Sequence, residues 1–495
     1  MSVERAPSAA EVERALRDEI GAGVMASEAV RSRFSYDFGR HPEAAPLAVV
    51  RARSERDVSR VLALCSQMGV RVRVRGAGHS CGGQTLAPGG VVLLNQRDDG
   101  EVIVDAHGRV EVDARLTWNA LDARLGALGL APPVLTDYLD LTVGGTLSVG
   151  GYGLRSVSRG AQYDHVDRLK LVLADGSARW CARDESPELF ELALAGLGAA
   201  GVIERVVMRT IPRPKSARLV RFAHRDLEDL ARSMAWADEA PRDEPLLFSA
   251  FWMKGRIFSE YGSEDERVEV PIPAALRARE PAHREDVAEH SLHVHASRTR
   301  WLAQYARSRA LWTDWFFDHD GLRAFVTFLD RRLHRAEYAR YLGTCYFLVC
   351  RREASEWRPP LSADALRRGG AAFGVGTYFF VPVGDRAGEV LVRDELRALR
   401  DRALELGGRP YRYGCDELDR SALTHLYGDA LHRAEALRNT LDPRGVLRRD
   451  HGPNARINTS EVSSAISAVS SPPSRNTVAR AENFSGASRA KGRST

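Results

Sequence analysis

VRVRVRGAGHSCGGQ, residues Val70–Gln84, decides how this chain is read. Val70, Val72 and Val74 alternate with Arg71, Arg73 and Arg75, which is the period of a half-buried strand. The strand runs into a glycine-rich turn with His79 at its rim. A Rossmann fingerprint needs G-x-G-x-x-G and a helix to receive the pyrophosphate. Here position 81 is cysteine, and the turn leads to another strand, Val91–Leu94. A P-loop is excluded because no Gly-Lys-Ser/Thr follows. What remains is a nest of backbone N–H groups between strands, able to hold a pyrophosphate without a helix dipole. Glycine suits such a nest because the backbone must approach phosphates closely and can need a positive φ. A glycine cluster by itself also reads as a plain structural turn.

Two further segments bear on that choice. Thr136–Gly153, TDYLDLTVGGTLSVGGYG, sets a carboxylate, Asp137, ahead of Thr142, Gly144, Gly145 and Ser148. Gly196–Ile203, GLGAAGVI, bridges a helix and a strand. Three glycine-rich approaches on one α+β unit suggest an extended dinucleotide bound across loops.

Working outward, residues 8–33 predict one or two amphipathic helices. Ser54 to Asp57 resembles a capping box that opens a helix through Met68, with Gly69 as its stop. Glu101–Asp105 with Arg109–Asp113 predicts one hairpin, and the strands flanking Asp175-Gly176 predict another. Helices are expected at Trp118–Leu128 and Ser186–Leu197, and a strand at Val202–Ile211. Beyond Pro214 the pattern changes to strand 217–223, helix 226–240 and strand 246–254, a sheet covered on one face by helices. Trp312–Phe317, WTDWFF, reads as helix core or pocket wall. The expected division is a cofactor-binding domain at 1–213 and 410–458, split by an α+β substrate domain at 214–409. Residues 410–458 read as short glycine- and proline-marked segments, and 459–495 as a disordered tail poor in apolar residues.

A chain of 495 residues is too long for one core. The net charge of +5 comes from 71 basic and 66 acidic residues that are well mixed, so no basic stripe marks a nucleic-acid partner. No apolar run approaches the roughly 20 residues that span a bilayer. The charged N-terminus has no apolar signal region, and a cytoplasmic location is expected. With only four lysines, the arginine bias points to a GC-rich bacterial source. Six scattered cysteines read as reduced structural thiols. His290, His293 and His295 lie close in sequence, but only His293 and His295 share a strand face, and no metal site is expected.

RGAGHSCGGQ, TDYLDLTVGGTLSVGG and ELFELALAGLGAAGVIERVVMRTIPRP together resemble the cytokinin dehydrogenases. These belong to the FAD-linked oxidases related to vanillyl-alcohol oxidase, with a PCMH-type FAD-binding fold. The resemblance includes Asp37-Phe38-Gly39, Arg409-Pro410-Tyr411 and Leu441–Leu447. It implies a two-domain α+β fold and a covalent FAD whose 8α-methyl is bonded to His79. It implies that Val74, Arg75, Gly76, Ala77, Gly78, Ser80 and Gln84 line the pyrophosphate and flavin. Thr142, Gly144, Gly145 and Ser148 would meet phosphates or ribityl, and Ile203 the adenine side. Tyr411 and Asn454, the latter standing where the family has glutamine, would close over the isoalloxazine. The second glycine segment reads Gly150-Gly151-Tyr152 where bicovalent relatives carry cysteine, so one histidyl bond is expected.

The same resemblance makes Asp137 the acceptor of a substrate proton as hydride leaves the adjacent carbon for the flavin. Ser249 stands where the family places a glutamate that grips a purine, and Phe251 and Trp252 are candidate walls for a different substrate. The expected activity is hydride abstraction from a C–N or C–O carbon, with oxygen or another electron acceptor reoxidising the flavin. The substrate is a small molecule: a cytokinin-like amine, or a hydroxyl-bearing natural product or carbohydrate. A flavoprotein that sequesters a drug-like molecule is the alternative from another class.

Overall fold

Parallel pairing at the strand of Val70–Gln84 sets the architecture. Val72–Arg75 lies beside Val91–Leu94, which lies beside Ala48–Arg51, all parallel, and the short Val24–Met25 closes the sheet antiparallel. This computed structural model describes residues 7–41, 45–240, 246–265, 269–287, 300–333, 335–351, 370–415 and 417–448. Asn454, the three clustered histidines and residues 459–495 lie outside the described residues.

Two helices cover the parallel sheet, and both start where their caps are. Ala9–Ile20 opens on a capping box between Ser8 and Glu11. Glu55–Met68 opens at Ser54, whose hydroxyl accepts from the Asp57 N–H, and ends at Gly69 with φ +66°. Their apolar faces (Val12, Leu16, Val58, Val61, Leu62) share a core with Val50, Val72, Val91 and Leu93.

A second, antiparallel sheet has the order Val102–Val104, Arg109–Asp113, Val202–Arg209, Val166–Val172, Ala178–Ala182. Both expected hairpins are in it. The third sheet has eight antiparallel strands, running from His283–Val287 through Ala217–His224, Arg256–Ser263, Leu246–Met253, Leu342–Arg351, Ala371–Pro382 and Ser308–Phe317 to Arg409–Pro410. Helices Leu227–Met234, His319–Leu333 and Arg386–Glu405 cover one face and bury Leu230, Phe325, Leu329 and Leu399 against Trp315, Phe373 and Val375. The fold is α+β.

One ion pair ties the segment after the second glycine run to this large sheet. Arg155 donates from Nε and Nη2 to both oxygens of Glu264 at 2.7 Å, and from Nη1 to the Pro132 carbonyl at 2.8 Å. Both charged side chains are almost wholly buried, 1% and 2% exposed, so each charge depends on the other.

The structure departs from expectation in three places. WTDWFF is the end of strand Ser308–Phe317, not a helix: bulky residues on both faces are buried by helices on one side and a cavity on the other. Within 410–458 the chain forms a 22-residue helix, Arg420–Leu441, bent at Gly428. Only Leu423 and Leu426 are buried along it, so its apolar stripe is too sparse to stand out in the sequence. The helix after Ser186 stops at Ala193, because Ala195 and Leu197 take φ +56° and +57° and turn the chain. Among the described residues no helix is long and apolar enough to cross a membrane.

Candidate functional site

The glycine turn is held open by chain segments on either side of it. Phe38 and Gly39 donate their N–H groups to the carbonyls of Gly78 (3.1 Å) and Ser80 (3.2 Å). The buried Asp37 carboxylate accepts from the Gly83 N–H at 2.8 Å and the His41 N–H at 3.0 Å. Burial raises the Asp37 pKa, while those two N–H groups act to lower it. Gly78 and Gly83 sit at φ +74° and +75°, where a side chain would be strained. From the other side, Gln84 Nε2 donates to the carbonyls of Arg412 (3.1 Å) and Gly414 (2.8 Å), and its Oε1 accepts from the Gly82 N–H. Gln84 therefore spends its amide on the protein itself.

The second glycine segment closes on the first. Thr142 caps the short helix Val143–Leu147 by accepting from the Gly145 N–H at 3.2 Å. A Cβ on Gly76 would overlap the Thr142 hydroxyl, and one on Gly144 would press on the Ala114 Cβ at 3.2 Å. The Ser148 hydroxyl donates to the Gly144 carbonyl at 2.7 Å. Small residues at these points let two backbones and a ligand share one space.

That space is a cavity of about 550 Å³. It brings together Val74, the run Gly76–Ser80, Gln84, Asp137, Thr142, Gly144, Gly145, Ser148, Ile203 and Tyr411. Arg75 is not on its wall; its guanidinium donates to the Tyr36 carbonyl at 3.0 Å and braces the turn from behind. His79 stacks on Tyr138 (centroids 4.7 Å apart, 20° between planes) and packs against Phe38 at 4.1 Å. Burial pushes its pKa down to about 4, so at neutral pH the imidazole is uncharged and keeps a nucleophilic nitrogen lone pair. Asp137, half-buried, lies on the same wall. The Tyr411 hydroxyl accepts from the Gly151 N–H at 3.3 Å and so anchors the C-terminal segment to the second glycine run.

Of the expected substrate residues, Phe251 lines the cavity. Trp252 points the other way, into the helix-covered core. Ser249 is wholly buried within its strand and is not on the cavity wall. The large sheet supplies residues that the sequence did not single out. Asp314, Tyr346 and Tyr378 face the cavity, as do Tyr413 and the Arg221–Glu260 ion pair at 2.7 Å. One signal was available: AFGVGTYFF carries glycines two apart inside a strand, which marks a close approach on one face.

The residues present suit a flavin dinucleotide. The nest offers backbone N–H groups where side chains are sterically excluded, and a neutral imidazole opens onto the adjoining aromatic space. Comparison with known proteins agrees. Residues 46–182 match a family of FAD binding domains. The chain is similar to an uncharacterized oxidoreductase, ORF5 in the fasciation locus of Rhodococcoides fascians, 39% identical over 192 residues (39% of this chain, 43% of that protein). It is similar to cytokinin dehydrogenase 7 of Oryza sativa subsp. japonica, 40% identical over 206 residues (40% and 39%). It is likewise similar to cytokinin dehydrogenase 3 of Arabidopsis thaliana, 35% identical over 202 residues (40% and 39%). The chain spans about two fifths of the length of these relatives. Residues 46–182 thus resemble an FAD binding domain. The particular kind it resembles is that of the cytokinin dehydrogenases.

Proposed function

We propose that the chain is an FAD-dependent oxidoreductase that removes hydride from a carbon bearing nitrogen or oxygen, with oxygen or another acceptor restoring the flavin. The observation that carries this reading is the uncharged His79, packed between Phe38 and Tyr138, opening onto the cavity that Asp137 also lines. The flavin supplies the two-electron chemistry; the chain supplies binding, orientation and proton handling. The backbone of Gly76–Ser80 with Thr142, Gly144, Gly145 and Ser148 would hold the dinucleotide, with Ile203 and Tyr411 contributing to the same cavity wall. His79 is the covalent tether. Asp137 takes the proton of the substrate heteroatom, which lowers the barrier to losing hydride from the neighbouring carbon. Residues 1–213 and 410–458 form the cofactor portion and 214–409 the substrate portion. The relatives named cytokinin dehydrogenases make a cytokinin-like secondary amine one substrate to try.

Acid-precipitated, denatured protein should stay yellow, and His79→Ala should release the colour to the supernatant. A colourless wild-type pellet removes the tether. Asp137→Ala should keep the flavin and slow its anaerobic bleaching by about 10²–10⁴-fold, the usual worth of a general base. Unchanged bleaching takes Asp137 out of the mechanism. Isopentenyladenine that leaves the flavin unbleached excludes the cytokinin-like amine.

A further inference from the structure

One wall of the cavity carries a second group of proton-handling side chains. Strand Ser308–Phe317 turns Asp314 to the cavity, and its neighbour Ala371–Pro382 sets Gly376 opposite Asp314 and Tyr378 opposite Trp312. Because residue 376 has no side chain, Asp314 and Tyr378 reach each other across it. A Cβ there would overlap Asp314 Oδ1 and stand 2.7 Å from the Tyr378 hydroxyl. Tyr378 donates to Asp314 Oδ1 at 2.8 Å. Tyr413, just past strand Arg409–Pro410, bonds the Tyr378 hydroxyl at 3.1 Å. A phenol has one proton to give, and that of Tyr378 goes to the carboxylate, so Tyr413 is the donor in this second bond. The hydroxyls therefore run in one direction, Tyr413 to Tyr378 to Asp314, and the outer oxygen keeps its acceptor capacity on the cavity side.

We propose that the substrate is an alcohol carried on a ring that packs among the aromatic walls, and that for it Tyr413, Tyr378 and Asp314, in place of Asp137, form the relay that takes the hydroxyl proton. This rests on the oxidoreductase reading and names its substrate class. In the oxidation the carbon gives up hydride to the flavin as oxidant, and its hydroxyl gives up a proton, leaving a carbonyl. That proton passes to the Tyr413 oxygen, the Tyr413 proton to Tyr378, and the Tyr378 proton to Asp314. The carboxylate ends neutral and both tyrosines end as they began.

The surroundings fit a proton acceptor that works at neutral pH. Burial raises the Asp314 carboxyl to about 7, with the nearby hydroxyls of Tyr378 and Tyr413 acting to lower it. Among the described residues its buried Oδ2 has no hydrogen-bond donor, which further disfavours the charged form. Tyr378, Tyr411, Tyr413 and Cys81 face the carboxyl, and none of them brings a positive charge. An acceptor near pH 7 takes a proton readily and returns it readily.

The test uses 4-nitrophenol, whose ionised form absorbs in the visible, added to the flavin-loaded protein at a pH no lower than the pKa of the Asp314 carboxyl, about 7. The bound probe should be ionised to a greater extent than the free probe, read as a difference spectrum over the flavin. In Asp314→Asn the ratio of ionised to neutral bound probe should fall by about tenfold or more, one pKa unit. Tyr378→Phe, which keeps the carboxyl, should do the same if the asparagine variant fails to load flavin. A probe bound as neutral phenol, a phenolate signal that survives Asp314→Asn, or no binding each overturns the relay. The oxidoreductase reading fails separately: a protein without flavin fails it, whatever the probe does.

Discussion

The two sides of the cavity are built by opposite rules. The nest side is made of residues that follow one another in short segments, Gly76–Ser80 and Thr142–Ser148, where, His79 apart, the backbone does the binding and glycines keep the approach open. The sheet side is made of single residues taken from alternate positions of several strands, with function in side chains and the backbone hidden. A backbone site recognises what nearly all flavin dinucleotides share, whereas a side-chain site can be changed one residue at a time without disturbing the strands. The first suits a fixed cofactor and the second a variable substrate.

Four measurements press on that contrast. The largest effect should come from the buried ion pair that couples the sides. Arg155→Leu leaves Glu264 charged and unpartnered, and equilibrium unfolding should show a loss of roughly 3–5 kcal/mol. A change near zero would mean that the two sides hold together without it.

Next comes the carboxyl of the sheet side. The folded-state pKa of Asp314, about 7, lies above its ordinary 3.8, so the native chain binds that proton more tightly than the unfolded chain does. Its presence therefore costs stability progressively as pH rises from about 4 to about 7, and by a constant amount above that. Asp314→Asn should unfold at a higher temperature than wild type at pH 8, by up to the order of 4 kcal/mol in stability, with the gap closing towards pH 4. A gap that does not change with pH would place the raised pKa elsewhere.

The nest should answer to bulk rather than to charge. Gly76→Ala sets a methyl against Thr142, and overpacking of this kind costs about 1–3 kcal/mol, so flavin occupancy should fall by roughly 10–100-fold while the sheet-side probe signal persists in the loaded fraction. Normal loading would mean that the two glycine segments are not a shared cradle. The smallest effect is expected at Gln84→Ala, which removes bonds to Arg412, Gly414 and Gly82 for about 1–3 kcal/mol. Retained covalent flavin with a lower melting temperature is the expected result; loss of flavin at unchanged stability would return Gln84 to the cofactor.

The same contrast explains what could be read from sequence. VRVRVRGAGHSCGGQ shows its strand, its turn and the absence of a following helix in consecutive letters, and Ser54 and Gly69 bound their helix as written. Asp314 could not be read that way. It sits in an aromatic block whose two faces are both buried, so no polar-apolar alternation marks the strand, and its partners lie 64 and 99 positions downstream, at residues 378 and 413. Ser249 illustrates the converse: resemblance gave it a role, and it shares a strand face with Phe251, yet it is covered there while Phe251 lines the cavity. Arg420–Leu441 escaped notice because so little of it is buried.

The bonds from Gln84 to the carbonyls of Arg412 and Gly414 join positions 328 and 330 residues apart. During synthesis the nest emerges early, yet the segment that completes its rim, with Tyr411 bonded to the second glycine run, is made only after every strand of the large sheet has been synthesised. Flavin capture then becomes a late event, open only to chains that have already finished their substrate side. Attachment at His79 would act as a record that the chain was finished: a product cut short before residue 411 should carry no bound colour, however well its first two hundred residues fold.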